Sequence, residues 1–178
     1  MKSILFALST ILLPALLILP VAWSDDDDDY GHRTTGVAVV DNPLYKTECG
    51  SCHMAYPPGL LPARSWQALM NRLEDHFGDN AELDTKTRDA IRDYLTDNSA
   101  DKSDYRRSRR FAAETGTPLR ITETSYFKHE HDEVPPRMVQ DNKEVRSFSN
   151  CNACHRKAEQ GSFSERDIVI PGFGRWDD

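Results

Sequence analysis

Residues 49–53 read Cys-Gly-Ser-Cys-His, and residues 151–155 read Cys-Asn-Ala-Cys-His. The repeated pattern uses all four cysteines of a 178-residue chain. Two disulfides are the first reading for cysteines in an exported protein, but they leave the histidine after each pair unexplained. A shared zinc site does the same, and a thioredoxin-like redox pair needs a βαβ setting that surrounds neither motif. Cys-x-x-Cys-His is the attachment signature of c-type haem. Two thiols a helical turn apart reach the two vinyl groups on one porphyrin edge, and the next residue carries its imidazole under the iron. The sequence therefore predicts two covalent haems, held by Cys49, Cys52 and His53 and by Cys151, Cys154 and His155.

The start of the chain agrees with that chemistry, because c-type haem is attached outside the cytoplasm. Lys2 precedes an apolar stretch over residues 4–19, and Ala22-Trp23-Ser24 offers small residues for cleavage before the run Asp25–Asp29. This is the pattern of a secretory signal peptide over residues 1–24. The stretch is short for a membrane span of about 20 apolar residues, and prolines interrupt it, so no stable membrane insertion is expected after cleavage. Lys and Arg number 22 against 29 Asp and Glu, a formal net charge of −7. That balance argues against nucleic acid and permits charge-steered protein partners. The aspartate run reads as a solvated tail, and His32 beside it as a free side chain.

The polar stretch Asn-Ser-Ala-Asp-Lys-Ser-Asp at 98–104 divides the remainder into residues 25–100 and 101–178. In the first part Ser65 is placed to cap a helix on which Trp66, Leu69, Met70, Leu73, His76 and Phe77 share a face, with Gly78 ending it. Asp84 is placed to cap a second helix, with Ala90, Ile91, Tyr94 and Leu95 on one face. The order of haem motif, proline-rich loop Tyr-Pro-Pro-Gly-Leu-Leu-Pro at 56–62, helix and C-terminal helix resembles a class I cytochrome c. That resemblance implies a loop carbonyl near a proline accepting the proximal histidine's N–H, which fixes its tautomer. The second part is less regular. It has a short basic helix within residues 104–116, ended by Gly116, and an apolar, glycine-containing tail at 167–178 expected to lie against the second haem. The haem supplies much of such a small unit's apolar core, so haem-free protein should fold poorly. The fold class is mainly α.

Each iron of a low-spin carrier needs a second strong ligand, and of six histidines two are already assigned. His76 lies where a class I cytochrome places its distal ligand, and Met70 on the same face competes with it, though ordinary core filling suits methionine better. His129 and His131 point to opposite sides of a helix. His131 shares its face with Phe127 and Val134 and is the expected ligand, with Met138 the remaining alternative. Arg106, Arg107, Arg109 and Arg110 crowd one helix, as a solvated face, a docking patch or a contact to haem carboxylates.

The segments Glu-Cys-Gly-Ser-Cys-His-Met-Ala-Tyr-Pro-Pro-Gly-Leu-Leu-Pro, His-Phe-Gly-Asp-Asn-Ala-Glu-Leu, Arg-Ile-Thr-Glu-Thr-Ser-Tyr-Phe-Lys-His-Glu-His-Asp-Glu, Ser-Asn-Cys-Asn-Ala-Cys-His and Ile-Pro-Gly-Phe-Gly-Arg-Trp together resemble the small periplasmic di-haem cytochromes c known as the DHC family, over nearly all of residues 43–178. Tyr126 stands where the family is expected to have tryptophan. The resemblance implies a class I-like N-terminal domain and a divergent C-terminal domain, bis-histidine haems pairing His53 with His76 and His155 with His131, and a periplasmic location. It also implies redox partners: an oxygen-binding mono-haem cytochrome, the sphaeroides haem protein, and b-type membrane cytochromes. The expected function is electron transfer from a membrane donor to a soluble acceptor, without enzymatic turnover. A di-haem peroxidase-like enzyme and a gas or redox sensor are the rivals, and both need a labile iron ligand.

Overall fold

The computed structural model of the protein describes residues 36–176. The expected signal peptide at 1–24, the run Asp25–Asp29 and His32 lie outside the described residues. Among the described residues no helix is long and apolar enough to cross a membrane. The architecture is mainly helical, with one two-stranded sheet.

Helix α1 spans Pro43–Cys49. Asn42 caps it by accepting from the Tyr45 amide at 2.9 Å, and Pro43 sits in its first turn, where no amide is needed. The helix stops at Gly50, so the first motif straddles a helix end: Cys49 closes the helix, and Cys52 and His53 follow in the turn. The proline-rich loop then packs inward. Pro57 and Pro58 are buried, and a 3-10 turn at Pro58–Leu60 leads into α2, Ala63–Met70. Helix α3, Thr85–Asp97, packs on α2. As expected, Asp84 caps α3, accepting from the amides of Lys86 and Thr87. Val40, Tyr45, Leu61, Trp66, Met70, Leu73, Ile91 and Leu95 form the core between these elements. Each large aliphatic side chain buried there contributes about 1.5–3 kcal/mol.

Several local expectations are corrected. Ser65 is not a cap. It lies inside α2, which begins after Pro62, whose carbonyl accepts from the amides of both Ser65 and Trp66. The helix also ends at Met70 rather than Phe77. Asn71 closes it, a 3-10 turn follows at Leu73–Asp75, and His76 leaves the helical region altogether. On α3 the buried stripe is Ile91 and Leu95 with Tyr94 half-buried, while Ala90 faces solvent.

Residues 98–104 are not a loose connection. Ser99 and Ala100 are fully buried, the Ala100 amide donates to Leu61 O, and Asp101 accepts from the Ala63 amide at 2.8 Å. Helix α4, Arg106–Ala112, packs on this turn and on Pro58–Leu60. It ends at Ala112, capped by Ala113, short of the expected Gly116. A Cβ at Gly59 would lie 2.3 Å from Ser108 Oγ, so the two segments approach only because Gly59 has no side chain. Helix α5, Ser125–Glu130, is capped by Thr124, and the second motif forms a one-turn helix of its own, α6, Cys151–Cys154. The tail folds into an antiparallel hairpin of β1, Val169–Ile170, with β2, Gly174–Arg175. The beginning of the described chain crosses to this half: the Val37 amide donates to Gly161 O at 3.0 Å, and Val37 packs with Leu60, Ala100, Phe111 and Phe127.

Candidate haem sites

At the first motif, the His53 imidazole faces that of His76, with ring centres 6.2 Å apart and planes 24° from parallel. A metal bonded to one nitrogen of each ring at about 2 Å holds the centres about 6 Å apart. His53 Nδ1 lies 2.7 Å from Met54 O. Donation there places the proton on Nδ1 and leaves the Nε2 lone pair free. The expected acceptor was a carbonyl of the proline-rich loop; the histidine instead uses Met54 O, ahead of that loop. Pro58 O in the loop accepts from the Trp66 indole at 2.8 Å, which needed a partner once buried.

His76 is presented by a tight turn rather than a helix. The His76 amide donates to Asp79 O at 2.8 Å and the Asp79 amide returns the bond. Both intervening residues, Phe77 at φ 60° and Gly78 at φ 102°, lie in the left-handed region. The cost for Phe77 is about 1–2 kcal/mol. Its half-exposed ring packs beside His76, and the Arg120 guanidinium sits over it at 3.8 Å. Such a contact contributes about 0.5–1 kcal/mol at an exposed position, so it offsets only part of the strain. Burial, then the neighbouring His53 and Arg120, lowers the pKa of His76 and favours the neutral, ligating form.

The second site is a cleft enclosing about 1040 Å³, part of it open to solvent. Phe127, Val139, Val145, Phe148, Phe163 and Ile170 contribute to its apolar wall. His155 and His131 face each other with ring centres 6.1 Å apart, the spacing of the first pair, but with planes at 71°. His131 closes α5 and stacks on Phe127 at 3.9 Å, its Nδ1 lying 2.9 Å from Phe127 O, which again leaves Nε2 free. Burial lowers the pKa of His131 and pushes that of His155 down to about 4, with His131 and Arg107 adding to the latter shift. His155 Nδ1 is buried with no hydrogen-bond partner. The hairpin closes one side: His155 pairs with Ile168, and Ile168, Ile170 and Trp176 line the cleft.

His129, on the same helix as the approach to His131, is exposed. Met70 is buried in the first core and Met138 does not line the cleft. Of the four helix arginines only Arg107 reaches the second site. It lines the cleft, donates to Tyr126 Oη at 3.1 Å and to Phe163 O at 3.3 Å, and pairs with Glu130 at 3.5 Å. Its Nε is buried without a partner. Arg106, Arg109 and Arg110 face solvent.

No disulfide joins the four cysteines. Burial pushes the Cys49 and Cys151 thiols up to about 11 and also raises Cys154. The paired thiols are the groups that would attach a haem at each site. Among the described residues no group of three or more His, Cys, Asp or Glu could hold a bare metal ion. Paired imidazoles, each beside two thiols, fit instead a metal that brings its own equatorial donors, as a haem does.

Sequence reasoning missed three side chains at these sites. Tyr56 stacks on His53, with ring centres 4.7 Å apart and planes 21° from parallel. Phe77 and Arg120 flank His76. The signal for Tyr56 was an aromatic three residues after the motif histidine; Arg120 carried none, since it arrives from the other half of the chain.

The DHC family, described as dihaem cytochrome c, matches residues 45–163. No curated protein sequence matches the chain. Three solved structures are similar. The dihaem cytochrome c of Shewanella baltica OS155 is 47% identical, with a TM-score of 0.66 over 78% of this chain and 100% of that one. A dihaem cytochrome c from Rhodobacter sphaeroides is 54% identical, with a TM-score of 0.63 over 70% of this chain and 98% of that one. The DHC purified from Rhodobacter sphaeroides is 50% identical, with a TM-score of 0.58 over 71% of this chain and 100% of that one.

Proposed function

The chain belongs to the dihaem cytochrome c family and takes two c-type haems, and from that premise we propose that it is an exported, bis-histidine electron carrier. The observation that carries this reading is the facing of each motif histidine by a second histidine, at 6.2 and 6.1 Å. Cys49 and Cys52 would attach the first haem and His53 and His76 would hold its metal; Cys151 and Cys154 would attach the second and His155 and His131 would hold its metal. Residues 25–100 and 101–178 are the two haem-binding units, and Arg107 neutralises a carboxylate of the second haem. The haems supply reversible one-electron chemistry. The chain's own residues hold a nitrogen on both sides of each metal, keep water and small ligands off it, and so limit rearrangement on electron transfer. Ligation by two histidines gives a lower potential than Met/His ligation.

The site of action is the periplasm. There the protein relays electrons from a b-type membrane cytochrome to a soluble haem protein, such as the oxygen-binding mono-haem cytochrome with which the family is associated. Peroxidase-like and sensor readings each require a metal with an open or labile position, which the two histidine pairs do not leave. Absorption spectra of both oxidation states, with and without carbon monoxide and cyanide, test the proposal. Two low-spin haems unchanged by either ligand are expected. A haem that binds carbon monoxide without denaturation, or steady turnover of peroxide, overturns the carrier reading.

A further inference from the structure

Tyr56 touches both haem-attachment segments. Its ring lies face to face with that of His53, with centres 4.7 Å apart. Its hydroxyl donates to Ser149 O at 2.6 Å, across 93 positions of sequence. Ser149 O in turn lies 3.7 Å from Cys151 Sγ. A chain of contacts thus runs from the axial histidine of one motif to the first attachment sulfur of the other.

The side chain is also held in place. The buried Tyr45 hydroxyl donates to Tyr56 O at 2.9 Å. Two prolines follow, and the residue before a proline is confined to extended backbone. Neither restraint serves the first site's histidine pair, whose tautomer is fixed by Met54 O. A tyrosine packed only for its apolar ring would not need its hydroxyl bonded to the far segment.

We propose that Tyr56 conducts electrons between the two haem sites, its ring coupling to His53 and its hydroxyl to the Cys151 attachment through the Ser149 carbonyl. Tunnelling falls off more slowly through bonded and hydrogen-bonded atoms than through open space. One electron leaves the ferrous iron of one haem and reduces the ferric iron of the other. Tyr56 is neither oxidised nor deprotonated, and no bond or proton is exchanged. The inference rests on the two-haem carrier reading above. It adds that the two haems act as one relay rather than as two independent carriers.

The test uses the holoprotein and its Tyr56→Phe and Tyr56→Leu variants. Mass spectrometry first counts haems: a missing second haem in the parent protein defeats the carrier reading itself, separately from this one. NMR of the half-reduced protein then follows the haem methyl signals and gives the rate of intramolecular exchange. Tyr56→Phe, which keeps the ring and loses the hydroxyl, is expected to slow exchange severalfold, and Tyr56→Leu to slow it further. Both reduction potentials and the amide protection of α6 should stay at the parent values in Tyr56→Phe. Unchanged exchange in Tyr56→Phe overturns the proposal. So does slower exchange that comes with shifted potentials or lost protection at α6, since the hydroxyl is then only a structural tie. Tyr56→Phe alone decides the matter if Tyr56→Leu does not fold.

Discussion

The two haem sites carry the same five-residue motif and hold their histidine pairs at nearly the same separation, yet they are built on opposite plans. The first rests on a finished protein core. Ile91 and Leu95 of α3 and Trp66 and Met70 of α2 pack against one another, and His76 is added on a strained turn at the edge. In the second, Val37, Leu60, Ala100, Phe111 and Phe127 pack into a smaller core beside the cleft, Phe127, Phe148 and Phe163 line the cleft itself, and the elements around it are short: one-turn α6, six-residue α5 and a two-residue-strand hairpin. The same motif therefore serves as an attachment at the edge of a larger core in one half and as the filling of an apolar cleft beside a smaller core in the other. Small units that bury little surface of their own need such a staple.

The first way to break this comparison is at the distal ligands. His76→Ala and His131→Ala should each turn one haem high-spin and open it to carbon monoxide, leaving the other low-spin. His131→Ala should in addition lower stability by about 2–5 kcal/mol, the range for large-to-small changes in a core, because it also removes the stack on Phe127. His76→Ala removes a half-buried side chain at the edge of the core and leaves the backbone of the turn as it is, so its unfolding midpoint should hardly move. Denaturant unfolding of both variants, followed at the haem bands and in the far ultraviolet, separates the two outcomes.

Core substitutions sharpen it from the other side. Ile91→Ala should destabilise by about 2–5 kcal/mol yet leave both haem spectra unchanged while the protein is folded. Equal loss of stability with a perturbed first haem would mean that the first haem, too, is integral to its core.

The ring planes give a third distinction. Near-parallel imidazoles split the iron d orbitals more than near-perpendicular ones. Electron paramagnetic resonance of the oxidised protein should therefore show two low-spin signals, a rhombic one from the 24° pair and one with a larger maximal g value from the 71° pair. A single shared signal shape would contradict the difference in geometry.

The smallest effect expected is at His129. It is exposed on α5, and His129→Ala should change stability by less than about 0.5 kcal/mol and neither haem spectrum.

What could be read from sequence follows the same division. Cys-x-x-Cys-His is a local chemical constraint, so its residues were legible without a fold. That His131 rather than His129 turns toward the second motif's histidine was legible too, because Phe127 stands four residues earlier on the same face. His76 was singled out by its place before the C-terminal helix, and the structure keeps it there, ahead of α3. Its setting was misjudged: apolar periodicity carried a helix through Phe77, but periodicity cannot register a turn made from Asn71, Asp75 and Gly78. Asp75 accepts from the Gly78 amide at 3.1 Å and helps fold the chain back. Ser65 looked like a cap because serine caps well, but Pro62 had already begun the helix. Contacts between distant segments were illegible: Val37 in the second core, Arg120 over Phe77, Tyr56 on Ser149. None has a local pattern, since each depends on how the two halves meet.

Hydrogen–deuterium exchange on two haem-deficient variants tests the central contrast most directly. Cys151→Ser with Cys154→Ser removes the second attachment, and Cys49→Ser with Cys52→Ser the first, with haem content checked by mass. Protection reports local opening free energy segment by segment. Loss of the second haem should abolish protection through α5, α6 and the hairpin while α3 keeps its slow amides. Loss of the first should leave α3 protected around Ile91 and Leu95. The contrast is contradicted if α3 loses its protection as fully with the first haem as the second half does with its own, or if the second half stays protected without its haem.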